Sequence, residues 1–307
     1  MLPTFRFLCS SLFALVVVGC DEEPSTPAAP ETPPLEAQER PETATTRVFT
    51  IDTASSAVDF VMIAPLENIH GVSRESMSGE LYLDLANLSA SRGLVRVDLD
   101  PLEIFQRKRA STAEELGEET KNDTQNEHAR TWLQIAGDTP QEVRDANRYA
   151  QFNVVEVTNV SANDVSAMEG AERVVTLNAT GDFRLHGRTT RKTARLELRF
   201  QFDGDTPRAV AVRTLEPVNV GLAEHDVHPR SAFDRLAEAT LATLGEKVAE
   251  AAPITFELRA TAGQPVQTAP ELRLEESEAA AAAARLGMPD PGAAPGAVPS
   301  APPSPAE

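Results

Sequence analysis

The sequence predicts a mainly β, antiparallel fold for a central domain at residues 47–262. Apolar and polar residues alternate with a period of two over strand-length segments, most clearly from Ala194 to Phe202. Turn signals such as Asp203-Gly204-Asp205 separate these segments. Both cysteines, Cys9 and Cys20, precede the domain, so the domain must be stabilised without a disulfide.

About eight antiparallel strands with one apolar face must pack as a sandwich or close into a barrel, because an open sheet would leave two unpaired edges and an exposed apolar face. Helical spacing of apolar residues predicts short helical insertions at 120–135 and 140–148, and an amphipathic helix from Ser231 to Ala252. The strands are predicted at residues 48–51, 57–63, 81–85, 95–99, 152–160, 173–185, 194–202, 208–220 and 254–261.

The charge balance argues against one large class of function. The chain has 28 Lys and Arg residues against 47 Asp and Glu residues, a net charge of −19. Nucleic-acid binding depends on clustered cations that neutralise phosphates. We therefore predict no nucleic-acid partner.

The first 19 residues have the features of an export signal, with Arg6 before an apolar run that ends at Val18 and small Gly19 before Cys20. The run Val17-Val18-Gly19-Cys20 resembles the bacterial lipobox, which implies lipidation of Cys20 and a membrane anchor there. We expect a lipid-anchored protein of the bacterial cell envelope that faces the periplasm, with the choice between inner and outer membrane left open.

Two segments flank the domain and lack the large apolar side chains that a core needs. Residues 20–46 are predicted to be a disordered linker that carries the lipid anchor. Residues 263–307 are predicted to be a disordered tail rich in alanine and proline.

Histidines are the main candidates for metal or catalytic chemistry. His225 and His228 are close enough along the chain to suggest a metal site, with His186 or Glu224 as a third ligand. Because Pro229 disfavours helix at His228, we favour two solvated histidines over a bound metal. The sequence also lacks G-x-S-x-G and H-E-x-x-H motifs. We expect no catalytic residue, no cofactor and no enzyme activity.

The apolar face of the strands is the remaining candidate site. If the strands form a barrel, its interior is either filled by side chains or open for one elongated apolar ligand, and periodicity alone does not separate these cases. The inward positions that would line the interior are Leu81, Leu83, Val95, Val97, Leu196, Leu198, Phe200 and Phe202.

Four motifs occur in one order along the domain: FTIDTASSAVDF at 49–60, NEHARTWL at 126–133, ANRYAQF at 146–152 and ATGDFRLHGRT at 179–189. In this order they resemble the YceI-like family of exported lipid-binding barrels, over about residues 48–261. The resemblance implies an extended lipocalin-like barrel around a long apolar pocket, with a polyisoprenoid or related lipid as ligand and no catalysis.

With this resemblance, the open cavity becomes the preferred interpretation of the apolar face. Arg130, Arg184 and Arg188 are then possible contacts for a phosphate or quinone head group. Two alternatives stay open: a metal-dependent enzyme that uses His225 and His228, and a filled barrel whose protein partner docks on the helix at 231–252.

Overall fold

The computed structural model describes residues 29–41, 43–228 and 249–263. Helices α1 (Asp123–Trp132) and α2 (Gln141–Asn147) follow one another between the strands, with single 3₁₀ turns at Leu88–Ala90 and Ala223–His225. Neither α1 nor α2 is long and apolar enough to cross a bilayer. The strands are β1 (Thr46–Ile63), β2 (Glu67–Arg74), β3 (Met77–Asp84), β4 (Arg92–Asp98), β5 (Glu103–Lys108), β6 (Thr120–Lys121), β7 (Tyr149–Thr158), β8 (Glu172–Leu185), β9 (Arg188–Asp203), β10 (Thr206–Thr214), β11 (Val218–Gly221) and β12 (Ala251–Ala262).

Eight of these strands form a closed antiparallel barrel in the order β1-β3-β4-β7-β8-β9-β10-β12. The barrel closes where β12 pairs with β1, with Phe49 opposite Ala262. The prediction of a mainly β antiparallel barrel with short helical insertions is confirmed, and the sandwich alternative is wrong. Closure removes both sheet edges, which an open sheet of this width would leave unpaired.

The barrel is extended at one end because β1 changes its partner along its length. Its first part pairs with β3 and its last part, from Ala57 onward, pairs with β2. A register shift between Asp52 and Ala57 separates the two parts. Strands β5 and β6 continue the wall beyond β2, and β11 pairs with the start of β12.

These partner changes divide the barrel into two halves. We call the filled half the part around β10, the first residues of β1 and the last residues of β3, where Phe49, Phe200 and Val210 are fully buried. We call the cavity half the part around β2, β5, β11 and α1, where Phe60 and Ile69 lie on the inner wall.

Several element predictions are corrected by the structure. The strands predicted at 48–51 and 57–63 are one continuous strand, β1, and the strand predicted at 208–220 is two, because Pro217 interrupts it before β11 begins. Ala251 and Ala252, predicted as the end of a helix, begin β12. The predicted signal at 1–19, the lipidation site Cys20 and the rest of the predicted helix up to residue 248 lie outside the described residues.

Part of the predicted linker lies against the barrel. The N-terminal strap, residues 29–36, runs over the outer face of the cavity half. The Leu35 amide donates to Gln151 Oε1 at 2.8 Å, and Asn153 Nδ2 donates to the Glu36 carbonyl at 2.8 Å. Gln151 and Asn153 point outward from β7, yet each is only 3% exposed. The strap therefore covers polar side chains that alternation alone would place in water.

Candidate ligand-binding cavity

The cavity half contains a partly open cavity of about 190 Å³ with an almost entirely hydrocarbon wall. Strands β1, β4 and β12 supply one part of the wall, and α1 covers another part with Ala129, Trp132 and Leu133. The strand residues that face the cavity include Val58, Phe60, Met62, Val95, Val97, Phe152, Phe183, Ile254 and Phe256. The cavity is thus a space built for an apolar occupant.

The wall depends on a close contact between β1 and β2. Phe60 lies opposite Gly71 in the register of these strands, and its ring covers the position where a Cβ atom of residue 71 would stand. Any side chain at residue 71 would push the Phe60 ring away. Gly71 therefore sets how far the Phe60 ring lies from the centre of the cavity.

The filled half closes the other end of the interior. Phe49 and Phe200 meet edge to face with ring centroids 6.2 Å apart. The Arg173 guanidinium lies over the Phe202 ring at 3.8 Å and caps this end. Its Nε donates to the Gly170 carbonyl, and its Nη1 donates to the Val165 carbonyl. An apolar chain that enters the cavity half has no path through this packed end.

The eight residues predicted to line the interior divide between the two halves. Val95 and Val97 lie on the cavity wall. The other six belong to the packed core instead, because the barrel is filled at their level: Leu81, Leu83, Leu196, Leu198, Phe200 and Phe202. Alternation identified the inward face correctly but carries no information on depth along the barrel.

The cavity wall contains one ionisable side chain among the described residues, Lys192 of β9. Its ammonium lies 2.6 Å from Glu224 Oε2. Sequence reasoning missed this residue, although Lys192 has the same inward parity as Ala194 and Leu196. The even-numbered position of Lys192 on β9 was the signal in the sequence that could have placed it on the inner wall.

Lys192 lies at a seam in the wall. Strand β10 ends at Thr214, opposite Leu196, and no described strand forms a ladder with β9 on that side beyond this point. Side chains of β9 instead reach the 3₁₀ turn and the residue after it, in the pairs Lys192 with Glu224, Thr190 with His225, and Arg188 with Asp226. The seam is therefore held by side-chain contacts.

None of the three arginines predicted to hold a head group lies on the cavity wall. Arg130 donates to the Asp100 carbonyl at 3.0 Å. Arg184 points outward beneath the N-terminal strap and donates to two backbone carbonyl groups, and burial lowers its pKa. Arg188 contacts carboxylates at the seam. Alternation explains Arg184, because its neighbours Phe183 and Leu185 take the inward positions.

The two histidines predicted as low-probability metal ligands have different surroundings. His225 is fully buried, and burial lowers its pKa. Its Nδ1 lies 3.1 Å from the Arg188 carbonyl and its Nε2 lies 3.2 Å from Thr190 Oγ1, so Nδ1 donates and Nε2 accepts. The half-exposed His228 contacts Asp226.

No group of three potential metal-ligating side chains occurs among the described residues. His186, the suggested third ligand, donates from Nδ1 to the His225 carbonyl at 3.0 Å. Glu224, the other suggested ligand, is paired with Lys192. Each group suggested for the metal site thus has a hydrogen-bonding or ion-pair role within the described structure.

No protein-family model and no curated protein sequence matches the chain. Among solved structures, the chain is similar to a polyisoprenoid binding domain from Saccharophagus degradans implicated in plant cell wall breakdown, with 16% identity, a TM-score of 0.40, and coverage of 70% of this chain and 98% of that one. It is also similar to BcnA of Burkholderia cenocepacia, with 14% identity, a TM-score of 0.39, and coverage of 69% and 99%. The fold of this chain is established by its own strand pairing.

Proposed function

We propose that this protein binds an elongated apolar lipid, a polyisoprenoid or a similar chain, in the cavity half of its barrel. The observation that carries the proposal is the cavity of about 190 Å³ with a hydrocarbon wall, closed at one end by the filled half. Apolar cavities accept apolar molecules.

The energetic cost of such a cavity supports an occupant. Its wall leaves apolar side chains without contacts, and covering such surface is favourable at about 25 cal/mol per Å². A lipid chain in the cavity would supply these contacts and stabilise the folded state by mass action.

The same surface gives useful affinity without a charged contact. A ligand that buries about 400 Å² of hydrocarbon gains roughly 10 kcal/mol at about 25 cal/mol per Å², against association costs of similar order. The wall supplies one ionisable group among the described residues, Lys192, whereas acid–base or nucleophilic catalysis needs several converging groups. We infer a binding protein rather than an enzyme.

Location in the cell envelope is the second part of the proposal. Acylation of Cys20 would anchor the chain, and the N-terminal strap begins at residue 29, where the Ala29 amide donates to the Glu224 carbonyl. At no more than about 3.6 Å per residue, this connection would keep the barrel within roughly 30 Å of the bilayer. An anchored barrel would therefore have short access to membrane lipids.

Native mass spectrometry tests the ligand. Residues 21–307, exported behind a cleavable signal in a bacterial host, should carry a reproducible adduct that organic solvent releases as a prenyl or acyl lipid. Ala150→Phe, which fills the cavity, should lose the adduct, whereas Ala209→Phe on the outward side of β10 should keep it. A folded protein with a clean unliganded mass would refute the proposal.

Metabolic labelling tests the anchor. Growth with an alkyne-bearing fatty acid should label the complete chain, and Cys20→Ala should abolish the label and release the protein from the membrane fraction. Cys9→Ala is the matched control, because this residue lies inside the predicted signal. Equal labelling of the wild type and Cys20→Ala would overturn the anchoring proposal.

A further inference from the structure

The seam between β9 and the second 3₁₀ turn is part of the cavity wall. We call residues 222–227, which include this turn, the seam turn. Lys192 and Ala194 line the cavity on the β9 side of the seam. Leu222 and Val227 line it on the side of the seam turn. Separation of the seam turn from β9 would therefore open the cavity through its side wall.

Backbone pairing distinguishes the seam from the rest of the barrel wall. Among the described residues, no backbone hydrogen bond joins the seam turn to β9. The turn is instead attached to the opposite side, because β11 leads into it and pairs with β12, and the Leu222 amide donates to the Glu250 carbonyl at 3.0 Å. The contacts of the turn with β9 all involve side chains, so this join is the weakest in the described wall of the cavity.

The N-terminal strap crosses the seam and bonds to both of its sides. The Ala29 amide donates to the Glu224 carbonyl of the seam turn, and the Thr32 amide donates to the Gly187 carbonyl between β8 and β9, each at 2.8 Å. Arg188 at the start of β9 also donates to the Ala29 carbonyl. A segment remote in sequence thus supplies a connection between the two sides of the seam through backbone hydrogen bonds.

The strap is attached less firmly than a strand of the barrel. None of residues 29–36 is buried, and Pro30, Pro33 and Pro34 lack the N–H group that a continuous ladder needs. The bridge between the strap and β9 is isolated. Segments with few buried contacts and exposed hydrogen bonds open at low cost. The strap can therefore detach without unfolding of the barrel.

We propose that the seam is the opening through which the ligand enters and leaves the cavity, and that the N-terminal strap is the clasp that holds this opening shut. The inference rests on the proposed lipid-binding function and adds a control of ligand exchange to it. A clasp of this kind changes the rates of entry and release by the same factor, because it acts on the open state and not on the contacts of the bound ligand. The affinity is therefore unchanged.

Proline substitutions weaken the clasp one bond at a time, because proline has no N–H group to donate. Ala29→Pro removes the bond to the seam turn and Thr32→Pro the bond to Gly187. Each should speed both entry and release of N-phenylnaphthylamine, an apolar fluorescent dye, about fivefold, the factor of one hydrogen bond. The double variant should be no faster than either single variant, since loss of one end already frees the clasp. Stopped-flow fluorescence of the complete chain, stripped of bound lipid, measures both rates.

The strap itself offers the matched control. The Leu35 amide also makes one hydrogen bond, but to Gln151 on β7, away from the seam. Leu35→Pro should therefore leave both rates of dye exchange at the wild-type value.

A reversible disulfide tests the opposite direction. The hydroxyl groups of Thr32 and Thr189 are in hydrogen-bond contact, which is close enough for cysteines at these positions to be joined. In a complete chain whose two native cysteines are replaced by serine, oxidation ties the strap to β9 and should slow dye exchange about fivefold relative to the reduced form. Thr180→Cys with Thr193→Cys is the control, because these hydroxyl groups are also in contact but join two strands that already pair.

The outcomes distinguish the clasp from the proposed function. If the dye binds but Ala29→Pro and Thr32→Pro exchange it at the wild-type rate, or Leu35→Pro exchanges it equally fast, the clasp is refuted while apolar binding stands. Faster release with unchanged entry would show that the strap stabilises the bound state and would also refute the clasp. Equal rates in the oxidised and reduced forms would have the same meaning. If the folded wild type does not bind the dye, the lipid-binding proposal fails and this inference fails with it.

Discussion

The two halves of the barrel share strands but differ in what occupies their interior. Strands β8, β9 and β12 run through both halves with the same inward and outward alternation, and β1 does so with a register shift between Asp52 and Ala57 that changes its inward positions from odd to even numbers. In the filled half, Phe49 and Phe200 meet across the interior and leave no space. In the cavity half, α1 and β5 widen the enclosure and the inward side chains end at an open volume. One chain thus combines a stabilising core with an apolar cavity.

The largest expected difference between the halves is in the cost of removing a phenyl ring. Phe200→Ala should lower the free energy of unfolding by about 3–5 kcal/mol, because the ring is fully buried and its loss creates a new cavity. Phe60→Ala should cost only about 1–2 kcal/mol, since its ring already borders open space. Urea unfolding measures both values. Equal costs would mean that the cavity half is packed like the core.

A smaller change should affect the cavity half alone. Gly71→Ala places a Cβ atom against the Phe60 ring, so we expect a loss of about 1–3 kcal/mol from overpacking and weaker lipid binding as the ring moves inward. Gly137→Ala is the matched control, because nothing lies within 4 Å of its would-be Cβ atom. Urea unfolding and lipid titration give the two readouts. Indistinguishable variants would show that Gly71 has no role in shaping the cavity.

The N-terminal strap should stabilise the cavity half more than the filled half. Truncation of the chain before residue 37 removes the backbone groups of the strap that bond to Gln151 and Asn153, and we expect a loss of about 1–2 kcal/mol after the ordering entropy of the strap is offset. Hydrogen exchange should rise in β7 and β8 near the strap. Unchanged exchange there would indicate that the strap contributes no stability.

The smallest expected effect is a difference in acid sensitivity. Burial lowers the pKa of His225 in the folded state, so the unfolded chain binds this proton more readily. Stability from this group should therefore fall as pH decreases below the unfolded value of about 6.5 and level off below the folded pKa. The expected loss is under about 1.4 kcal/mol per pH unit, and thermal unfolding of wild type and His225→Asn measures it.

The filled half should respond at lower pH. Burial tends to raise the pKa of Asp84, but hydrogen bonds from the Thr45 and Thr43 hydroxyls outweigh it and lower this pKa overall. The stability from Asp84 is present above its unfolded value of about 3.9 and is lost as pH falls through the folded pKa. An Asp84→Asn variant that kept the wild-type loss in this range would contradict the assignment.

The sequence predicted the barrel well because most of its strands alternate cleanly. Predictions from alternation were wrong or incomplete where a strand carries polar residues, where depth along the barrel matters, or where a contact depends on the fold. Strands β2 and β5 were missed, since β2 carries polar His70 and Gly71 near its centre. Six predicted lining residues fell in the core because a period of two reports the face of a strand and not its depth. Lys192 was overlooked because a lysine at an inward position needs an ion-pair partner, and only the fold brings Glu224 within reach of it.

The closure of β12 on β1 also has a consequence for how the chain reaches its native state. The hydroxyl of Ser56 contacts the Arg259 amide, a pair separated by 203 positions along the sequence. Contacts of such long range form late and slow the folding of β proteins. During synthesis, one edge of β1 therefore stays unpaired until β12 has been made. In that interval this edge is open to wrong partners.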